Sequence, residues 1–435
     1  MESECRRAFR GYPGIILILL LLAVVGEFMV RGPLRAVARL PAFNDFAEPY
    51  AGSRAWIFGL DPYDPITARY LWQRAGGDAQ AGELLAMYPP SSFLVLAPFA
   101  ALSWPAAMQA WTYTTVALFL LACRGLLQLA GLPWPGRRSA AFLVLAVGLA
   151  PIQTGIANGN ISVAATMLSI LGVWAASRGH NLGAAVFLAA GCALKPQLGI
   201  WFLVYYLVRR RWAVAVPALT LVSVCALLAV ARLWPAWPMW MQSYMSNYHH
   251  WFAVGSIHDF STENPSWFQL LNLQGLFYVL YKSRVTANVA AWLAFAAGFG
   301  VWLYSNRRNR DQHSELLSLS GVVIIALFPV YHRFYDAGLL LLPICWSLRS
   351  VQSRLQPVRA TALLTLPFLV PGPAIAFRMA KQSGLGTITE TGFWKAIVLG
   401  HQTWALLLLG CVLLYANMMS LRQPALEAPC ERRFW

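Results

Sequence analysis

The sequence predicts an all-α protein, a polytopic transmembrane bundle of about twelve spans whose first outer loop carries short helices. Three observations predict it. The chain is 58% hydrophobic and 11% charged, with a mean hydropathy of +0.55, whereas soluble domains carry about 25% charge. Apolar runs of near-spanning length recur along its 435 residues. Basic clusters, Arg137-Arg138, Arg209-Arg210-Arg211 and Arg307-Arg308 with Arg310, fall between those runs, as cytoplasmic loops do under the positive-inside rule.

In order, the expected spans are 13–30, 106–130, 139–153, 160–177, 181–194, 197–208, 213–232, 286–304, 315–331, 335–349, 361–377 and 396–419. The first follows Arg6, Arg7 and Arg10 like a signal peptide, but its length and the lack of an A-x-A site make it an uncleaved span. Two further runs, 90–102 and 266–283, are short or rich in Pro, Asn and Gln and read as interfacial or re-entrant. With the N-terminus inside, the basic clusters, including Arg432 and Arg433, fall inside. The loops 40–89 and 233–264 fall outside, and so do Arg31, Arg35 and Arg39, against the rule. Residues 1–435 form a single membrane domain in this reading.

Composition excludes several classes. The net charge of +16 sits in loop clusters and forms no basic stripe with interleaved aromatics, so no nucleic-acid partner is expected. The seven cysteines are scattered without C-x-x-C, which gives neither a disulfide framework nor a zinc site. His249, His250 and His258 share one loop, and with only Asp259 beside them they read as loop residues rather than metal ligands. No G-x-x-x-x-G-K-[ST] is present, which argues against ATP as the driver. Neither a Rossmann fingerprint nor G-x-S-x-G is present either. An enzyme of this kind needs a donor that is already activated and already in the membrane.

The acidic residues are uneven. Of 17, six (Asp45, Glu48, Asp61, Asp64, Asp78 and Glu83) fall within 45–83. Asn44 or Asp45 suits a helix cap, and an ionised Asp45 at the mouth of a cavity suits a general base. Gly59, Pro62 and Pro65 break the chain around Asp61 and Asp64, which read as turn residues. Lys195 is the first lysine in the chain and ends an apolar run before Pro196; such a cation is a candidate for an anionic ligand or a snorkelling side chain. In "YHRFYD", 331–336, His332 and Arg333 are phosphate candidates. His332 with Asp336 at i, i+4 equally suits a structural pair. Asn158 and Asn160 in "GIANGNISV" and Glu263 and Asn264 in "STENPSW" carry amides and acids suited to caps or sugar hydroxyls.

The ordered set "NDF", "AGSRAWIFGLDPYDP", "YPPSSFLVLAPFAAL", "GNISV", "ALKPQLGIWFLVYYLVRRRW" and "YHRFYDAGLLLLP" resembles the polytopic glycosyltransferases of the GT-C superfamily. It is closest to glycosyltransferase family 87, which includes polyprenol-phosphate-mannose-dependent alpha-mannosyltransferases of bacterial envelopes. The resemblance runs from about residue 25 to 350. It implies a helical fold, a polyprenyl-phosphate sugar donor, a glycolipid or glycan acceptor, and no cofactor or required metal. It places the site on the periplasmic face of a bacterial inner membrane, among membrane lipids. It maps the catalytic Asp onto Asp45, with Glu48 in reserve, and donor-phosphate contacts onto Lys195, His332 and Arg333. Glu48, Tyr63, Tyr88, Asn158, Asn160, Asn264 and Asp336 become candidate sugar or acceptor contacts. The family often has Gly-Gln before its middle Asn, whereas this chain has Gly159-Asn160. The competing readings are a polyprenyl-linked glycan ligase or polymerase and a non-enzymatic transporter or flippase.

Overall fold

The computed structural model describes residues 2–80, 82–236, 238–308, 315–351 and 356–422. Arg310, Arg432 and Arg433 of the expected inner clusters lie outside the described residues. Among the described residues the chain is helical, with one isolated antiparallel bridge between Leu270 and Arg333.

Five segments are long and apolar enough to cross a membrane: Ile16–Ala38, Trp104–Leu129, Trp212–Leu233, Arg284–Arg308 and His401–Leu421. Two pairs, Arg137–Gly148 with Ala150–Ala157 and Gln356–Leu369 with Gly372–Gln382, are each bent by 46° at a break and raise the total to seven. Prolines mark both bends: Pro151 opens one second half, and Pro371 and Pro373 flank the start of the other. The polytopic helical class holds, and among the described residues five to seven segments have the length and apolarity of a full span. Other expected spans fall on Ile161–Ser177, Asn181–Leu194, Pro196–Val208 and Glu315–Ile325, apolar helices of 10–17 residues. They are shorter than a typical ~20-residue span, a length that helices packed inside protein need not reach. The run 335–349 divides into a 3-10 helix, Phe334–Leu340, and a helix, Leu341–Ser350. The two doubtful runs fold as Pro90–Ala100 and Leu273–Tyr281.

The segments Ile16–Ala38, Trp212–Leu233 and Arg284–Arg308 are strongly apolar yet only 17–28% buried within the protein, as lipid-facing helices are. Inside them stands Ile161–Ser177, buried along almost its whole length. Asn181–Leu194 lies against it at close range. A Cβ on Gly191 would meet Ser169 Oγ at 2.6 Å and the Ala165 carbonyl at 2.8 Å, so this contact needs a residue without a side chain.

The segment 40–89 carries the expected short helices, Ala47–Phe58 and Pro65–Arg74. The first ends on Gly59 in the left-handed conformation. The turn reading of its acids holds. Asp61 accepts the Tyr63 N–H at 2.9 Å, and Asp64 caps the second helix through the Ile66 and Thr67 N–H groups. An aromatic block ties this layer to the bundle. Phe46 stacks on Trp111 at 4.9 Å and 3°, Tyr50 meets Trp104 edge-on at 5.3 Å, and Trp72 meets Trp104 at 5.4 Å.

Candidate active site

Asp45 is held from three sides. Its neighbour Phe46 is fully buried in the aromatic block. Its backbone N–H donates to the Asn158 carbonyl at 2.9 Å, and its Oδ2 accepts from Asn160 Nδ2 at 2.9 Å. The turn at this helix start is made by Asn44, whose Oδ1 accepts the Phe46 N–H at 2.9 Å and whose carbonyl accepts the Ala47 N–H. Asn44 thus makes an Asx turn just before the helix, no side chain caps Ala47–Phe58, and Asp45 lines a cavity.

The Gly159 turn sets the other side. Its φ is +67°, and a Cβ there would meet Phe46 Cβ at 2.9 Å and Met108 Cε at 3.0 Å. Glycine meets both demands. The Gly159 carbonyl accepts from Trp111 Nε1 at 2.9 Å, so the indole that stacks on Phe46 also fixes this turn. Asn160 then caps Ile161–Ser177, its Oδ1 accepting from the Ser162 N–H at 2.9 Å and from Ser162 Oγ at 2.6 Å.

From Ser162 the chain of contacts continues inward. Lys195 Nζ donates to Ser162 Oγ at 2.6 Å and to Asp336 Oδ1 at 2.7 Å. Asp336 Oδ2 meets His332 Nδ1 at 3.0 Å and accepts the Arg333 N–H at 3.1 Å. Lys195 sits at the break between Asn181–Leu194 and Pro196–Val208, where Pro196 begins a new helix. An unbroken series of polar contacts thus joins Asp45 to His332 through Asn160, Ser162, Lys195 and Asp336.

A cavity of about 690 Å³ opens over this series, within the range of ligand sites. Asp45, Glu48, Tyr88, Asn160, Lys195 and Arg333 line it together with Tyr248, Trp251, Phe252, His258 and Tyr331. Arg333 is half-buried, and its Nε has no hydrogen-bond partner. Lys195, in contrast, is already paired with Asp336. Burial and the Asp45 carboxylate push the Glu48 carboxyl up to about 8, with Arg333 opposing them, so Glu48 carries its proton at neutral pH. Burial, and then Arg333 and Lys195, push His258 down to about 2. Its ring lies 3.8 Å from that of Tyr331 and stacks on Trp251 at 5.0 Å, an aromatic cluster in the cavity lining.

Not every candidate reaches the cavity. His332 and Asp336 are wholly buried behind its wall. Neither is among the residues that line it, and the Asp336 carboxylate pairs with Lys195 and His332. Tyr63 is buried against Phe93 and Trp240, its hydroxyl donating to the Tyr88 carbonyl at 2.8 Å. Asn158 contributes its carbonyl to Asp45. Asn264 is a loop knot, donating to the Ile257 and Asp259 carbonyls and accepting from the Ser266 N–H. Nearby, Asp259 and Glu263 are spent on Arg284 at 2.8 and 3.0 Å.

Sequence reasoning missed Ser162, although it stands two residues after Asn160 in the motif already singled out. It also left His258 in the loop, where only the tertiary fold brings it to Tyr331.

The model of glycosyltransferase family 87 matches residues 86–329. A protein of Mycobacterium tuberculosis, the polyprenol-phosphate-mannose-dependent alpha-(1-2)-phosphatidylinositol mannoside mannosyltransferase, is 31% identical over 185 residues. The match covers 39% of this chain and 41% of that relative, so the chain spans about two-fifths of the relative's length. The matched family region holds Asn160, Ser162 and Lys195, and Asp45 reaches it through Asn160. With the family match extending over more than half of its length, the chain belongs to glycosyltransferase family 87.

Proposed function

We propose that this protein transfers a sugar, mannose or a related one, from a polyprenyl-phosphate donor to a glycolipid or glycan acceptor at the outer face of a bacterial inner membrane. The observation that carries the reading is the Asp45 carboxylate, fixed by Asn160 in a cavity that Lys195 and Arg333 also line, in a chain of glycosyltransferase family 87. The name of the mycobacterial relative supports the donor class.

Asp45 takes the proton from an acceptor hydroxyl as its oxygen attacks the anomeric carbon. The bond from that carbon to the lipid phosphate oxygen breaks, and the phosphate leaves with the electron pair. One displacement inverts the anomeric centre. Negative charge grows on the leaving phosphate, and fixed cations in a water-poor cavity stabilise it most effectively. Arg333, with an unpartnered Nε, meets that charge, and Lys195 supports it from its pairing with Asp336. Two cations in place do the work often given to a metal, so the proposal calls for none. Glu48, protonated at neutral pH, adds a donor without a second negative charge beside Asp45. The aromatic lining of Trp251, His258 and Tyr331 suits the apolar faces of sugar rings.

The test is transfer of labelled sugar from polyprenyl-phosphate donors to membrane glycolipids by the full-length protein in lipid. Transfer supports the reading. Donor bound and returned intact, with no product from a full acceptor extract, overturns it in favour of a carrier.

A further inference from the structure

A second cavity, of about 770 Å³, lies away from the proposed active site. It is lined by Leu207, Val208, Trp212, Asn306 and four arginines, Arg209, Arg210, Arg211 and Arg307. Two helices fix where it stands. Pro196–Val208 lines the first cavity with Pro196 and Gln197 and the second with Leu207 and Val208. Arg284–Arg308 lines the first with Asn288 and Trp292 and the second with Asn306 and Arg307. At about 1.5 Å per residue, Asn288 and Arg307 are about 28 Å apart along that helix, close to the ~30 Å thickness of a hydrocarbon core. Along Pro196–Val208 the separation from Gln197 to Leu207 is about 15 Å, so the cavities stand at different depths, and the basic lining of the second is what the inner side of a membrane favours.

We infer that the arginine-lined cavity binds the phosphate headgroup of an acidic phospholipid in the leaflet opposite the active site. Positive-inside placement explains basic residues in a loop. It does not require that two separate segments converge their guanidinium groups on one concavity. The neighbouring carboxylate is Glu315, within electrostatic reach of Arg209 and Arg211 and paired with the Tyr206 hydroxyl at 3.4 Å. Among the described residues, four cations against this acid leave a net positive site. Guanidinium groups suit phosphate because their planar fork offers paired donors, and basic pockets between transmembrane helices on the inner side take such headgroups.

The apolar part of the cavity selects a lipid over a soluble phosphate. Leu207 and Val208 form one side, and Trp212 begins the lipid-facing helix Trp212–Leu233. Trp212 and Val216 are exposed on that helix, and an exposed Trp at a span end marks the headgroup level. A molecule with its phosphate among the arginines can rest its acyl chains along this surface. Arg210, exposed and at a φ of +55°, ends Pro196–Val208 in a left-handed turn in which the Arg211 N–H returns to the Tyr206 carbonyl at 2.9 Å.

The experiment purifies the full-length protein from membranes into mild detergent and adds phosphatidylglycerol or phosphatidylcholine in equal amounts. Native mass spectrometry then counts the lipid retained. One phosphatidylglycerol should be retained preferentially, and Arg210→Gln with Arg307→Gln should lower its occupancy by about tenfold or more. Arg137→Gln with Arg138→Gln, in another basic cluster, should leave retention unchanged. If the first pair does not yield a monodisperse protein, Arg307→Gln alone is read in the same way. Equal retention of the two lipids, equal loss in both pairs of variants, or displacement of phosphatidylglycerol by inorganic phosphate at constant ionic strength overturns the inference. None of these readouts depends on sugar transfer, so this inference and the proposed activity fail separately.

Discussion

Asn160 donates to Asp45 across 115 residues of sequence, Nδ2 to Oδ2 at 2.9 Å, and with its other amide atom accepts from Ser162. One side chain thus caps a buried helix and aims the proposed base. Replacing it by Ala should free the carboxylate to rotate while its backbone stays tied to Asn158. Misplacing a reacting group by about 1 Å costs about a hundredfold. Asn160→Ala should therefore lower kcat by about that factor and leave donor KM nearly unchanged, as steady-state transfer assays would measure. An equal loss in KM would show that Asn160 holds substrate instead.

Glu48 makes a pH prediction. Its folded-state value of about 8 lies above the ordinary 4.5, so the folded protein binds this proton more tightly than the unfolded chain. The sign follows from linkage: stability falls as pH rises from about 4.5 to about 8 and then levels. Activity that needs the protonated donor falls above about 8 for the same reason. Glu48→Gln, which keeps a donor and cannot ionise, should flatten the alkaline limb of the rate profile and stabilise the protein most at alkaline pH. Thermal unfolding and transfer rates between pH 6 and 9.5 check both.

Lys195 and Asp336 form a buried ion pair at 2.7 Å. Removing one partner strands the other charge, at a cost of about 3–5 kcal/mol. Asp336→Asn should therefore lower the unfolding temperature clearly in lipid or detergent. The double variant Lys195→Met with Asp336→Leu should recover much of that stability and none of the transfer activity. Recovery of activity would show that the pair only supports the fold.

Arg333 lines the cavity with its Nε unpartnered. Arg333→Gln should lower kcat by about 10²–10³-fold, the usual effect of losing one electrostatic stabiliser of a transition state. Arg333→Lys should restore part of it, since charge remains without the planar fork. A change confined to acceptor KM would move Arg333 out of the donor site.

Charge in an apolar chain is conspicuous, which is why Asp45, Lys195 and Arg333 stand out in the sequence and all line one cavity in the structure. The pairing of His332 with Asp336 was legible from their i, i+4 spacing, although His332 stands just before the 3-10 helix Phe334–Leu340. That Lys195, 141 residues away, completes it was not. Ser162 escaped because a serine inside an apolar helix ordinarily bonds its own backbone, as Ser169 does with the Ala165 carbonyl. His258 joins the site only through its ring contacts with Trp251 and Tyr331, which no local pattern records. Five to seven of the expected spans have full crossing length among the described residues, and the others are shorter helices. A helix such as Ile161–Ser177, buried in protein, is as apolar as one immersed in lipid, and hydropathy does not separate the two.

The most direct measurement compares wild type with Asp45→Asn in lipid, supplied with radiolabelled polyprenyl-phosphate mannose and a membrane glycolipid extract. The account predicts labelled product from wild type, a loss of about 10²–10⁴-fold in the variant, and donor binding intact in both. Equal transfer by the two proteins would contradict the assignment of Asp45 as the base.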